Sequence, residues 1–254
     1  MESDEEQVRE VTWEKLQADP ERYLAEYTRR FHNVLNADDA ATLFEEYNRD
    51  PMQYRAAVHR AATWIRDELF RRALEENIPD EKDRVVFTAG SNAAGKSTAL
   101  AFTGADAQAQ VVFDSTFSNP EHARRLVDQA LAAGRRVSII YIRRPLGDAL
   151  RGMLERAAGQ KRVVTIQQLV ASDRGAAETV RNLWREFRDH PRFVFRFVDN
   201  STISNPKLTT VELAAPRDYT ETGEHLYELL DVEYRAGRLT QAAYSLIRRG
   251  QERG

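Results

Sequence analysis

"VVFTAGSNAAGKSTAL", Val85 to Leu100, carries the pattern on which the rest of the chain turns. An apolar run enters Gly90, four residues follow, and then come Gly95, Lys96 and Ser97. Glycines at the two ends let the backbone curl, so that successive N–H groups point inward at an anion. The amides of Gly90, Ser91, Asn92, Ala93, Ala94, Gly95, Lys96, Ser97 and Thr98 are the expected phosphate cradle. A helix opening near Lys96 would set its positive end on the same phosphates. In this pattern the lysine reaches the β and γ phosphates and the hydroxyl ligates magnesium, roles that fall on Lys96 and Ser97. An apolar strand before the loop and the helix-forming "STALAF" after it are the context the pattern requires. The expected ligands are ATP and Mg2+.

Downstream of this loop, short apolar runs alternate with amphipathic stretches: "VVFDST", "RVSIIYI" and "RFVFRFV", each separated by a helical pattern. That alternation is the mark of βαβ units and a parallel sheet. A run such as "VSIIYI" suits a strand buried on both faces. The expected fold is α/β, a P-loop NTPase or kinase-like parallel sheet flanked by helices. Upstream the texture is helical. In "YRAAVHRAATWIRDELFRRAL" the apolar positions Val58, Ala61, Ala62, Ile65, Leu69 and Phe70 repeat at three-four spacing. Pro51 sits where a first helical turn tolerates it, and Asp38 or Asp39 is placed to cap a shorter helix. The polar stretch "NIPDEKDR" reads as a linker. The expected organisation is an N-terminal helical region, 1–80, and a kinase domain, 81–254, closed by two helices.

Composition limits the alternatives. The chain has 254 residues and a formal net charge of −3, so no global basic field points to nucleic acid or an acidic membrane. It contains no cysteine, which removes disulfides, thiol nucleophiles and cysteine-ligated zinc. The five histidines are scattered, with no HExxH-type pair. No apolar run approaches the length of a membrane span, and "MESDEEQ" lacks the apolar core of a signal peptide. The expected location is the cytoplasm.

Two further signals carry chemistry. Asp114 ends the apolar run "VVFD". At the carboxyl end of a parallel strand it would lie beside the loop, either as a magnesium ligand or as the base that takes a proton from an attacking hydroxyl. Ser115, Thr116 and Asn119 follow as weaker binding candidates, and Ser118 or Asn119 as helix caps. The stretch "IYIRRPLGDALRGMLERAAGQKRVV" is rich in arginine. Phosphoryl transfer needs positive charge on the equatorial oxygens, and Arg156 and Arg162 bracket "AAGQK", a candidate lid. Arg151 reads instead as a surface partner of Asp148. Asp199 and Asn200 end the last apolar run, as a turn or as a nucleotide-side loop.

From the P-loop to about residue 200 the chain resembles the zeta toxin family of P-loop kinases, the toxin halves of epsilon/zeta toxin–antitoxin pairs. The marks are the Walker A loop, Asp114-Ser115-Thr116, the "AGRRVSIIYIRRP" strand and the "LERA" arginines. The resemblance implies an ATP-dependent kinase for a hydroxyl of a small acceptor, a UDP-amino sugar in the best-known members, and an antitoxin-like protein partner. It puts the lysine role on Lys96, the magnesium role on Ser97 and the transition-state arginines on Arg156 and Arg162. There is one departure. Longer family members carry a catalytic Asp on a segment between the P-loop helix and the acid–small–Thr strand. Here only "LAFTGADAQAQV" separates the two, and its Asp106 does not end an apolar strand. Asp114 is then the expected base, and Asp173 or Arg174 in "QQLVASDRGAAETV" the expected completion of the pocket. The helices before residue 80 are expected to buttress the sheet. An ATP-hydrolysing switch and a weak nucleotide-binding module acting through a protein partner are the competing functions.

Overall fold

The computed structural model of the protein describes residues 4–79, 82–160, 164–202 and 205–249. The apolar runs read from the sequence form one six-stranded sheet. In chain order its strands are β1 (Val34–Leu35), β2 (Arg84–Ala89), β3 (Ala109–Asp114), β4 (Arg136–Arg143), β5 (Phe193–Asp199) and β6 (Lys207–Thr209). The spatial order is β1-β3-β2-β4-β5-β6, parallel except for the antiparallel edge strand β6. Phe87 lies opposite Phe113 on one side and Ile139 on the other. Val85 to Phe87, Val111 to Phe113 and Ile139 to Ile142 are all buried. Burial on both faces is what their unbroken apolar character predicts.

Helices cover both faces. On one, α5 (Pro51–Glu75) and α7 (Pro120–Ala132) pack on an aromatic cluster. There Phe70 meets Phe113 edge-on at 5.2 Å and Phe87 stacks on Phe117 at 5.1 Å. On the other, the short helix α6 (Lys96–Thr103) puts Ala99 and Leu100 against Val86, Val112, Ile140 and Val198. The helices α8 (Leu146–Gln160), α9 (Ile166–Phe187), α10 (Tyr219–Arg235) and α11 (Gln241–Arg248) share a further cluster built on Leu146, Leu150, Leu226, Leu230 and Ile247. Among the described residues no helix is long and apolar enough to cross a membrane.

The N-terminal region does more than lie on this sheet. Its helices α1 (Asp4–Ala18), α2 (Pro20–Phe31), α3 (Ala37–Ala41) and α4 (Glu45–Arg49) precede α5, and β1 lies between α2 and α3. β1 pairs in parallel with β3, Val34 opposite Val112 and Leu35 opposite Phe113. Leu16, Tyr27, Phe44 and Ile65 belong to the same core as Phe87 and Phe113. The boundary expected near residue 80 falls between α5 and β2, and sheet and core run across it. Pro51 does open α5, capped by Asp50. The cap of α3 is Asn36 rather than Asp38 or Asp39, because its short amide side chain reaches the Asp38 N–H at 2.7 Å.

Candidate functional site

The loop from Gly90 to Gly95 joins the end of β2 to α6, at the carboxyl edge of the sheet where parallel folds bind ligands. Its curl depends on two glycines. Gly90 has φ +143°, and a Cβ there would come within 2.3 Å of the Ile142 carbonyl oxygen. Gly95 has φ +87°, and a Cβ there would come within 2.2 Å of the Asn200 amide nitrogen. Ala93 also takes positive φ, +60°, an uncommon conformation for a residue with a Cβ. Side chains from distant strands hold that shape. Arg144, buried just after β4, donates to the Ala93 carbonyl at 3.2 Å, and Asn200, buried after β5, donates to the Ala94 carbonyl at 2.8 Å. These two contacts fix the Ala93 and Ala94 carbonyls, and with them the course of the loop backbone. The Gly90 amide itself donates to the Thr116 carbonyl at 3.0 Å, fastening the loop to the segment after β3. Lys96 rests its ammonium on the Ser91 carbonyl at 3.4 Å. Ser97 and Thr98 are exposed on the first turn of α6.

Asp114 closes β3 beside this loop, at the register position of Thr88 on β2. Its carboxylate is fixed from both sides. The buried Thr88 hydroxyl donates to Oδ1 at 2.6 Å, and the Asn36 amide donates to Oδ2 at 2.7 Å. The Thr88 oxygen accepts in turn from the Ser115 N–H at 3.2 Å. Asn36 is itself pinned: its N–H donates to the Tyr27 phenol at 2.7 Å, and that phenol donates to the Val34 carbonyl at 2.8 Å. Burial pushes the Tyr27 phenol well above its ordinary pKa, so it remains a donor. Sequence reasoning missed Asn36, which stands 78 residues from its partner.

A cleft over the loop is lined by Asn92, Ala93, Met153, Arg156 and Val164, and by Asp38 and Arg55 of the N-terminal region. Arg156 thus meets the phosphate loop from α8, where its Nε donates to the Gly152 carbonyl at 3.3 Å. Of the candidate lid "AAGQK", the part through Gln160 is helical and belongs to α8. Arg162 lies outside the described residues. Asp173 and Arg174 do not complete this cleft. Asp173 is 1% exposed, accepts from the Tyr219 phenol at 3.0 Å and pairs with Arg217 at 3.5 Å, while Arg174 stacks on the Tyr219 ring. Their neighbour Ser172 touches the loop instead, accepting from the Asn92 N–H at 3.3 Å. Asn119 caps α7 and Arg151 pairs with Asp148 at 3.0 Å, both as expected. Asp106 accepts from the Ala107 N–H.

The residues present suit a nucleotide and a hard cation. The cradle excludes any Cβ at Gly90 and Gly95, and the Ser91 hydroxyl inside it is fully buried without a hydrogen-bond partner among the described residues. A hydroxyl at Ser97 and a carboxylate at Asp114 are oxygen donors of the type magnesium takes. Among the described residues no three His, Asp or Glu side chains gather as a cage, so such a cation would lean on the phosphate oxygens.

A parallel sheet with a glycine-bounded phosphate loop between a strand and a helix defines the class: this is a P-loop α/β protein. The profile of the family described as Zeta toxin matches residues 103–206, so the resemblance read from the sequence is found independently over that segment. The match takes in Asp114 and Arg156 and begins after the P-loop. No curated protein matches the chain. Solved structures that are similar include the AvrRxo1-ORF1:AvrRxo1-ORF2 complex with sulphate ions, 15% identical over 70% of this chain and 80% of that one, TM-score 0.43. The AvrRxo1-ORF1:-ORF2 structure with ATP is also similar, 15% identical over 80% of this chain and 89% of that one, TM-score 0.44.

Proposed function

We propose that the protein is an ATP- and magnesium-dependent phosphotransferase that acts on a hydroxyl of a small, nucleotide-like metabolite. The observation that carries this reading is the cleft in which the phosphate loop, at Asn92 and Ala93, meets Arg156. The zeta toxin match over the segment bearing Asp114 and Arg156 supports it.

The loop amides and Lys96 bind and orient the triphosphate. Ser97 holds magnesium, which neutralises phosphate charge when bound. The acceptor hydroxyl gives its proton to the Asp114 carboxylate. The acceptor oxygen then forms a bond to the γ phosphorus. The bond from that phosphorus to the bridging oxygen breaks, leaving its electron pair on ADP, and Asp114 later returns the proton to solvent. Arg156, joined by Arg162, stabilises the charge spread over the equatorial oxygens. Thr88 and Asn36 keep the Asp114 carboxylate aimed throughout.

The test is incubation of the protein with labelled ATP, magnesium and a small-metabolite extract, beside Lys96→Ala, with mass spectrometry of the products. A species that gains one phosphate only with Lys96 present is expected. Formation of ADP and inorganic phosphate alone would replace this reading with an ATPase.

A further inference from the structure

Asp38 and Arg55 belong to the helical region expected to buttress the sheet, yet both line the cleft over the phosphate loop. We infer that this region forms the acceptor-binding wall of the site, with Asp38 and Arg55 as its contacts for the acceptor, an inference that rests on the phosphotransferase reading.

The placement is built rather than incidental. β1 sits on β3 and ends at the carboxyl edge of the sheet, beside Asp114. Asn36 follows at once, with its N–H, its amide nitrogen and its amide oxygen engaged by Tyr27, Asp114 and the Asp38 N–H respectively. Three fixed groups on one residue hold Asp38 at the start of α3. Arg55 reaches it from α5 with an ion pair at 3.2 Å. The two side chains are 35% and 36% exposed, so a ligand in the cleft can address both. An exposed pair of this kind contributes little to stability, and a ligand that bridges the two groups can open it at small cost.

The chemistry of the pair selects a substrate class. A carboxylate accepts from hydroxyl groups, and a guanidinium takes phosphate or carboxylate, often with two donors at once. Met153 and Val164 add an apolar side to the cleft. The ligand that answers all three is a hydroxyl-bearing molecule with an anionic group of its own. A neutral or cationic acceptor would offer Arg55 no anion in exchange for Asp38.

The test needs no turnover. Wild-type protein, loaded with a non-hydrolysable ATP analogue and magnesium, is dialysed to equilibrium against a small-metabolite extract, and the retained species are identified by mass spectrometry. Asp38→Asn and Arg55→Ala are treated alike, with analogue affinity and melting temperature as checks on the fold. Wild type is expected to retain an anionic, hydroxyl-bearing metabolite. Each variant is expected to retain at least about 10-fold less of it while binding the analogue normally, the loss of one charge-assisted contact. Retention by both variants at the wild-type level overturns the inference, as does a wild type that retains nothing. Should Asp38→Asn fail to fold, Arg55→Ala and Arg55→Lys decide the matter from the second turn of α5. Loss of Lys96-dependent product with Arg55-dependent retention intact would remove the phosphotransferase reading and leave the pocket standing.

Discussion

Gly95 shows how much one residue can carry. Its φ of +87° lies where a Cβ is strained, and the Asn200 amide nitrogen already fills the space a Cβ would take. Gly95→Ala is expected to lower ATP affinity at least about 10-fold and to cost about 1–3 kcal/mol of stability, measured by calorimetric titration and by urea unfolding. Asp114 is the second such position. Asp114→Asn keeps the size of the side chain and its place between Thr88 and Asn36 while removing the proton acceptor. Phosphoryl transfer is expected to fall by about 10²–10⁴-fold with ATP affinity unchanged. A raised magnesium requirement with transfer restored at high magnesium would move Asp114 from base to metal ligand.

At the scale of elements, the contact between α2 and α5 carries a charge network. Glu68 accepts from Arg71 and Arg72 on its own helix, and Arg72 reaches across to Glu21 on α2. The Arg71 hydrogen bond, with that of Arg72 behind it, outweighs burial and holds the Glu68 carboxyl at about 2, against an ordinary 4.5. A folded value below the unfolded one stabilises the fold above pH 4.5, and the contribution fades as pH falls toward 2. Glu68→Gln is therefore expected to unfold at lower urea than wild type at pH 6. The difference should shrink through that acid window, and added salt at pH 6 should narrow it. An undiminished difference at the acid end would show that the loss was one of packing.

For the whole molecule, the question is whether the helices before residue 80 are an accessory. Phe70 of α5 packs on Phe87 and Phe113, and β1 covers the edge of β3. Removal of residues 1–80 would uncover these rings and open a parallel strand edge to other chains. The segment 82–254 alone is expected to aggregate or to lack a cooperative melt, read by circular dichroism and light scattering. The intact chain is expected to melt in one transition over the sheet and its N-terminal helices. A stable, monomeric 82–254 that binds ATP would show the reverse, that the core stands alone.

The phosphate loop and the parallel sheet were legible in the sequence, because each is written locally. Contiguous residues Gly90 to Ser97 specify the cradle, and runs such as "VSIIYI" specify buried strands wherever they pack. Pro51, Asn119 and Arg151 were readable for the same reason, since each acts on neighbours within a helical turn or so. β1 is two residues long, too short to leave a period of its own. The grip of Arg144 and Asn200 on the loop, the contact of Ser172 with Asn92 and the reach of Asn36 to Asp114 join residues tens of positions apart. Asp173, which looked placed for the pocket, faces Tyr219 and Arg217 because the packing of α9 turns it away from the cleft. The sequence by itself determined the glycine-bounded loop between a strand and a helix, and where along the chain it lies. Only the tertiary structure decided which side chains meet that loop, because such meetings depend on how helices pack across the sheet rather than on spacing along the chain.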